Sequence, residues 1–309
     1  RARYDEIFAA CARTPGGFEH EPDRRKFHDV PREQRLELWD RLYKARGFGI
    51  WLSNFVEIFT EDEANAELSE YIANKIRERV NDPELAEKLI PKDHGFGVQR
   101  VPLETNYFET YNQDNVELVD SAETPIEKIT HNGLNTSDGR EFDFDVIIYA
   151  TGFDAFTGAF DRLNISGIGG AKLRDKWAEG PITYLGMFVN DIPNLAMIGG
   201  PQSSATNFPR GVELAVDFIT PLLDYSLRNG HTRFNANEQA EKEWFQHVKD
   251  MYQGLLMRKA KSWITGYNSN VEGHEYGKTR YNMYNGGGPK HARRLRELAE
   301  RNYDQLQFS

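Results

Sequence analysis

The run Asp138-Gly139-Arg140-Glu141-Phe142-Asp143-Phe144-Asp145-Val146-Ile147-Ile148-Tyr149-Ala150-Thr151-Gly152-Phe153-Asp154 decides how the fold is read. Asp-Gly is a hairpin-turn signal, because glycine accepts the positive φ that a tight turn imposes. Phe142, Phe144 and Val146 then alternate with acidic residues, and Val146–Tyr149 is continuously apolar. Alternation giving way to unbroken apolar sequence predicts a strand entering the buried middle of a sheet. It stops at Ala150-Thr151-Gly152, where small residues let the backbone approach a cofactor or a crossing chain. A second apolar strand, Leu195–Ile198, stops likewise at Gly199-Gly200-Pro201. Two such strands place two small-residue crevices at strand carboxyl ends, where α/β sheets bind ligands. Taken alone, the first crevice is equally a tight strand-to-loop turn with no ligand.

Upstream, residues 1–90 read as helical. Pro31 suits a first helical position, with Leu36, Trp39 and Tyr43 following at three- and four-residue steps. Leu68, Ile72, Ile76 and Val80 mark an amphipathic helix, and Asp82-Pro83 restarts a short one in N-cap then first-turn order. From His94 the character changes: Gly95-Phe96-Gly97 is loop-like, and Val116–Val119 and Ile126–Thr130 are short strand candidates. Downstream, Val212–Leu227 is a helix closed by Asn229-Gly230, and Asn237–Tyr252 carries Trp244, Val248 and Tyr252 on one face. Gly266–Gly277 is a polar loop, and Gly286-Gly287-Gly288-Pro289 precedes a last helix with Leu295 and Leu298.

Composition sets the outer limits. At 309 residues the chain exceeds what one hydrophobic core usually serves, and 39% hydrophobic residues suffice for a packed interior. A net charge of -10 argues against a nucleic-acid binder, which needs a basic footprint. The longest apolar run is far short of the ~20 residues that cross a bilayer. Cys11, the one cysteine, can form neither an internal disulfide nor a cysteine metal cluster, so a cytoplasmic protein without a metal site is expected. The eight histidines make no zinc-hydrolase pattern, and neither a G-x-S-x-G elbow nor a Walker loop is present. Gly95-Phe96-Gly97-Val98-Gln99-Arg100 and Gly167-Ile168-Gly169-Gly170-Ala171-Lys172 both fail the dinucleotide-binding fingerprint at its third glycine.

The opening run resembles a segment of two-dinucleotide-binding flavoproteins, monooxygenases especially, where the chain crosses from the NADP domain back to the FAD domain. Gly95–Asp120, with Gln99-Arg100, Tyr107-Phe108-Glu109 and Asn112 to Val116, is similar to the post-helical segment of type I Baeyer–Villiger monooxygenases. So are Trp177, Tyr184-Leu185-Gly186, Pro193-Asn194-Leu195, Gly200-Pro201-Gln202, Thr206-Asn207-Phe208-Pro209, Ser262-Trp263-Ile264-Thr265-Gly266 and Gly286-Gly287, in the family's order. The resemblance implies an α/β chain in three parts: residues 1–93, a helical insert of the NADP domain; 94–149, the end of the NADP-binding domain; and 150–309, the end of the FAD-binding domain.

Enzymes of that family reduce FAD with NADPH, trap O2 as a C4a-peroxyflavin, and insert oxygen beside a ketone carbonyl to give an ester or lactone. Negative charge develops there, so a fixed cation lowers the barrier, and arginine stays charged at any working pH. Arg100 stands at the family's active-site arginine; without the family it would read as a solvated or structural arginine. Trp263 matches a tryptophan that helps hold NADP, or is a core aromatic. Ala150-Thr151-Gly152, Gly200-Pro201-Gln202 and Asn207 are the implied flavin-facing residues, and Ala205 and Phe208 the substrate-facing ones. Two departures stand out. Gln99 replaces a lysine that contacts the NADP 2′-phosphate in many members, which opens the site to NAD. The loop Gly266–Lys278 is also a few residues longer than usual. The family's glycine-rich FAD and NADP loops lie upstream of this sequence, which begins at Arg1. The expectation is therefore the carboxyl-terminal portion of a longer enzyme, or one piece of a split one, unable to hold either cofactor well or to oxidise a ketone unaided. The rivals are another two-domain flavoprotein, such as an N-hydroxylating monooxygenase, and a non-enzymatic remnant that binds a partner protein.

Overall fold

A computed structural model of the protein describes residues 2–309. In chain order its helices are α1 (Tyr4–Arg13), α2 (Arg32–Lys44), α3 (Gly49–Leu52), α4 (Asp62–Arg77), α5 (Pro83–Leu89), α6 (Tyr107–Thr110), α7 (Gly158–Arg162), α8 (Leu173–Lys176), α9 (Phe208–Arg228), α10 (Glu238–Met251) and α11 (Gly288–Glu300). The strands are β1 (Ile126–Ile129), β2 (Gly133–Thr136), β3 (Glu141–Asp143), β4 (Phe234–Ala236) and β5 (Leu306–Phe308). The chain divides into two compact units, so the expected segment 1–93 is shared between them.

The larger unit comprises the described residues up to Asn65, Gly97–Val101 and Asp154–Ser309. Its main core packs Phe218, Ile219 and Leu222 of α9, Trp244 and Val248 of α10, and Leu295 and Leu298 of α11 around Tyr184, Leu185, Met187 and Phe188. Trp244, Val248 and Tyr252 recur every four residues and are 3%, 0% and 0% exposed, as their spacing predicts. Each such side chain is worth about 1.5–3 kcal/mol of burial. Asn237 caps α10 by accepting from the N–H groups of Gln239 and Ala240 at 2.9 and 3.2 Å. The antiparallel pair β4–β5 ties the chain's end to this core.

The smaller unit comprises Ala66–Phe96 and Pro102–Phe153. Ala73, Ile76, Val80, Ala86 and Ile90 form its core, with Ile72, Leu85, Leu89 and Phe108 packed around them. Asp82 caps α5 through the N–H groups of Glu84 and Leu85, with Pro83 in the first turn. Arg79 forks onto Glu109 at 2.6 and 2.7 Å and reaches Glu104 at 2.8 Å, which draws both carboxylates below their usual range. The strands β1-β2-β3 form an antiparallel sheet, and Asp138-Gly139 makes the β2–β3 turn with Gly139 at φ 82°.

Three strand expectations are corrected. Val146–Tyr149, Leu195–Ile198 and Val116–Val119 adopt no regular structure. Val146, Ile148 and Tyr149 are 73%, 83% and 66% exposed rather than buried, and Ala150-Thr151-Gly152 lies exposed beyond them. The physical reason is pairing: a parallel strand exists only between neighbours that take its hydrogen bonds and cover both its faces. Neither sheet among the described residues supplies them, both being antiparallel and built from other strands. Met197 is buried for a different reason, packing with Leu173, Trp177, Val189 and Ile192 while its N–H donates to the Met187 carbonyl at 2.8 Å across a loop-to-loop contact.

Candidate functional site

Within the larger unit, the expected site segments are linked by hydrogen bonds. Val98 packs on Leu256 and Ala260, and Gln99 Nε2 donates to the Lys261 carbonyl at 3.3 Å, two residues before Trp263. Asn282 joins the other side: its Nδ2 donates to the Trp263 carbonyl at 3.2 Å, and its carbonyl accepts from the Gln202 N–H at 2.7 Å. Gln99-Arg100, Trp263 and Gly200-Pro201-Gln202 thus meet through Lys261 and Asn282. Arg100 is exposed and makes no ion pair among the described residues, so its charge is uncompensated. Trp263 is 42% exposed and rests on Phe156, ring centroids 5.4 Å apart.

Gln202 is fully buried at φ 65°, and its backbone N–H and side-chain amide are used internally. Its Oε1 accepts from the Thr183 N–H and hydroxyl at 3.0 and 2.9 Å, and its Nε2 donates to the Pro181 carbonyl at 2.6 Å. Its side chain is a strut rather than a free ligand group. The neighbouring glycines are equally confined. A Cβ on Gly186 would stand 2.3 Å from the Ser203 nitrogen, and one on Gly200 would stand 2.6 Å from the Gly186 carbonyl oxygen. Two backbone segments therefore cross here in direct contact, and only glycine permits it.

The chain then turns through Ser203–Asn207 into α9. Ala205 N–H donates to the Tyr284 carbonyl at 3.0 Å, and Asn207 N–H to the Gly16 carbonyl at 2.8 Å. Phe208 is 69% exposed and lies against Gly199, leaving no room for a Cβ there. Beneath the turn is a small cavity of ≈ 30 Å³, lined by Met187, Ser204, Thr206, Phe208, Val212 and His291 among others. Among the described residues, the Thr206 hydroxyl is buried there without a partner. The leading N–H groups of α9, a helix of 21 residues, are the donors that any helix start leaves unmatched.

Two participants had no sequence signal. His291 sits in the first turn of α11, and burial pushes its imidazole down to about 4. Arg280 is 4% exposed and donates to the carbonyls of Trp177 and Ala178 at 3.0 Å each. Neither lies in a motif; each is recognisable only by what surrounds it. By contrast, Ala150-Thr151-Gly152 belongs to the smaller unit, with Gly152 at φ 85° and open space where a Cβ would be.

The residues fit a dinucleotide cofactor in part. Around Gly199 and α9 they offer close backbone and unmatched donors, and, at Trp263, a partly exposed indole two residues from the Lys261 that Gln99 holds. A crystal structure of OTEMO in complex with FAD and NADP superposes with a TM-score of 0.91 at 39% identity, covering 100% of this chain and 56% of that one. The chain has the α/β fold of the two-dinucleotide-binding flavoproteins over the stretch it shares with them. Among curated relatives, a 2-oxo-Δ3-4,5,5-trimethylcyclopentenylacetyl-CoA monooxygenase of Pseudomonas putida is 40% identical over 100% of this chain and 56% of its own. A cyclopentanone 1,2-monooxygenase of a Comamonas species is 36% identical over 93% of this chain and 52% of its own. The chain is a homologue of the Baeyer–Villiger monooxygenases, as its motifs imply, and spans about half the length of the relatives it matches. No family model matches it. No helix among the described residues is long and apolar enough to cross a membrane.

Proposed function

We propose that this chain is the carboxyl-terminal portion of a flavin-dependent Baeyer–Villiger monooxygenase, which uses NADPH or NADH and O2 to convert a ketone to an ester or lactone. Residues 1–93 form its helical insert, 94–149 the end of its NADP-binding domain and 150–309 the end of its FAD-binding domain. The observation that carries the reading is the convergence of Gln99-Arg100, Gly200–Gln202 and Trp263 through the hydrogen bonds of Lys261 and Asn282. Bound FAD would supply electron transfer and oxygen activation.

This chain's own residues then have distinct tasks. Arg100, exposed and unpaired by carboxylate, holds positive charge against the negative charge that develops during oxygen transfer. Trp263 and Gln99 hold the nicotinamide cofactor, and the uncharged amide of Gln99 leaves room for NADH. Gly200, Pro201, the backbone carbonyl of Gln202, and Asn207 take the flavin in the larger unit, and Ala150-Thr151-Gly152 is assigned to the flavin from the motif order alone. Ala205 and Phe208 face the ketone, apolar groups suiting an apolar substrate. The exposed apolar Val146, Ile148, Tyr149 and Phe153 support a partner in the remaining portion of the same enzyme, since runs like this are covered in a finished protein.

The test is the natural full-length polypeptide, assayed for flavin absorbance and for ester or lactone formation from cyclic and linear ketones with NADPH and NADH. Arg100→Ala is expected to keep flavin and lose about 10²–10³-fold in kcat, the scale of one lost charge-stabilising group. A flavin-loaded protein that oxidises amines and leaves every ketone untouched refutes the reading.

A further inference from the structure

We propose that His291 is a positioning residue: through the hydroxyl of Ser204 it fixes the turn Ser203–Phe208, and so sets how Ala205 and Phe208 meet the ketone. The proposal deepens the monooxygenase reading above and rests on it.

Hydrogen-bond bookkeeping determines the tautomer. His291 Nε2 lies 3.1 Å from the Leu185 carbonyl oxygen, which can only accept, so Nε2 carries the hydrogen. The ring is 1% exposed, and burial keeps it neutral. Nδ1 is then an acceptor, and the Ser204 hydroxyl, 3.2 Å away, donates to it. The ring cannot swing to release that bond. It stacks on Trp244 with centroids 5.5 Å apart at 23°, and Tyr284 flanks it at 5.6 Å.

The turn depends on this tie. On one side its backbone is held by Tyr284, which accepts from Ala205 N–H at 3.0 Å and donates to the Ser203 carbonyl at 2.9 Å. Among the described residues, the side-chain hydrogen bond that anchors the turn is Ser204 to His291; the Thr206 hydroxyl beside it has no partner. The His291 ring also lines the cavity whose rim is Phe208. A rigid group on α11 thus reaches under the turn that carries both substrate-facing residues, while touching neither substrate nor cofactor itself.

Asparagine and glutamine separate the two ring nitrogens, because an Asn Oδ1 stands where Nδ1 does and a Gln Nε2 where Nε2 does. In the natural full-length enzyme, His291→Gln keeps the donor to Leu185 and loses the acceptor for Ser204. His291→Asn does the reverse. Ser204→Ala removes the hydroxyl with little risk to folding. We expect His291→Gln and Ser204→Ala each to raise the KM for ketone about fivefold, the worth of one net hydrogen bond, with kcat changed less than twofold. The double variant should show no further rise, and His291→Asn should stay within about twofold of wild type. Additive effects, or His291→Asn behaving like His291→Gln, would overturn the proposal, because a merely structural ring depends on Leu185 and packing instead. With histidine labelled in ¹⁵N, the Nδ1 resonance of His291 should move in Ser204→Ala, and an unmoved resonance refutes the tie whatever the turnover. A wild-type enzyme that converts no ketone sinks the monooxygenase reading separately.

Discussion

Glu241 offers a test in which one buried group sets the pH dependence of stability. It sits in the first two turns of α10, 5% exposed, its Oε1 accepting from the Asn190 N–H at 2.7 Å. Burial outweighs that hydrogen bond and the pull of Lys176, so its carboxyl is pushed up to about 7. Against an ordinary value of 4.5, that is about 2.5 pH units, or about 3 kcal/mol. The sign follows from proton counts. Below pH 4.5 folded and unfolded chains are both protonated and the group costs nothing. Between pH 4.5 and 7 the unfolded chain ionises while the folded chain holds its proton, so stability falls by about 1.4 kcal/mol per pH unit. Above pH 7 the full cost persists. Glu241→Gln stays neutral throughout and keeps an oxygen for Asn190. Urea unfolding at pH 4.5, 6 and 8 should therefore give a difference near zero at the lowest pH, growing to about 3 kcal/mol in the variant's favour at the highest. A difference that is the same at all three values refutes the reasoning, because it would mean that packing, not charge, governs the site.

Other substitutions probe the frame around the proposed site. Gly186→Ala, at φ 70° and with the Ser203 nitrogen 2.3 Å from the new Cβ, should lower the thermal midpoint by several degrees; an unchanged midpoint would show that the crossing of the two segments is loose. Leu222→Ala, at a fully buried position of α9, should cost about 2–5 kcal/mol in chemical denaturation, whereas the 77% exposed Leu227→Ala should cost under about 0.5. Ile148→Asp should leave the thermal midpoint of this chain alone within about a degree, because the residue is 83% exposed, yet should strip flavin from the full-length enzyme. Retained flavin would remove the support that the exposed run gives to a partner portion.

Local signals were legible in the sequence because their physics is local. Asp82-Pro83 caps α5, Asn237 caps α10, and Trp244, Val248 and Tyr252 face one core, each readable from neighbours within two helical turns. Asp138-Gly139 makes its turn for the same reason. Pro31 falls one residue early, as the N-cap of α2 rather than its first residue, a shift within the fraying of any helix end. Val146–Tyr149 failed because a strand is a property of its neighbours: the apolar residues announce burial without saying what buries them. Gln202 reads as a ligand-facing residue in its motif, yet its amide is consumed by Thr183 and Pro181, which lie about twenty residues back along the chain.

The sequence by itself determined the longer helices, the cap of α5, the β2–β3 turn and, through the order of its motifs, the homology to Baeyer–Villiger monooxygenases. The tertiary structure alone decided which of the motif residues are joined. Lys261, Asn282 and Tyr284 stitch Gln99, Trp263, Gln202 and Ala205 together, and His291 is turned into a neutral acceptor under Ser204. Helical periodicity is encoded every three or four residues, whereas desolvation and hydrogen-bond partnership arise between distant segments such as Gln99 and Lys261, 162 positions apart, where nothing in the linear order records the meeting.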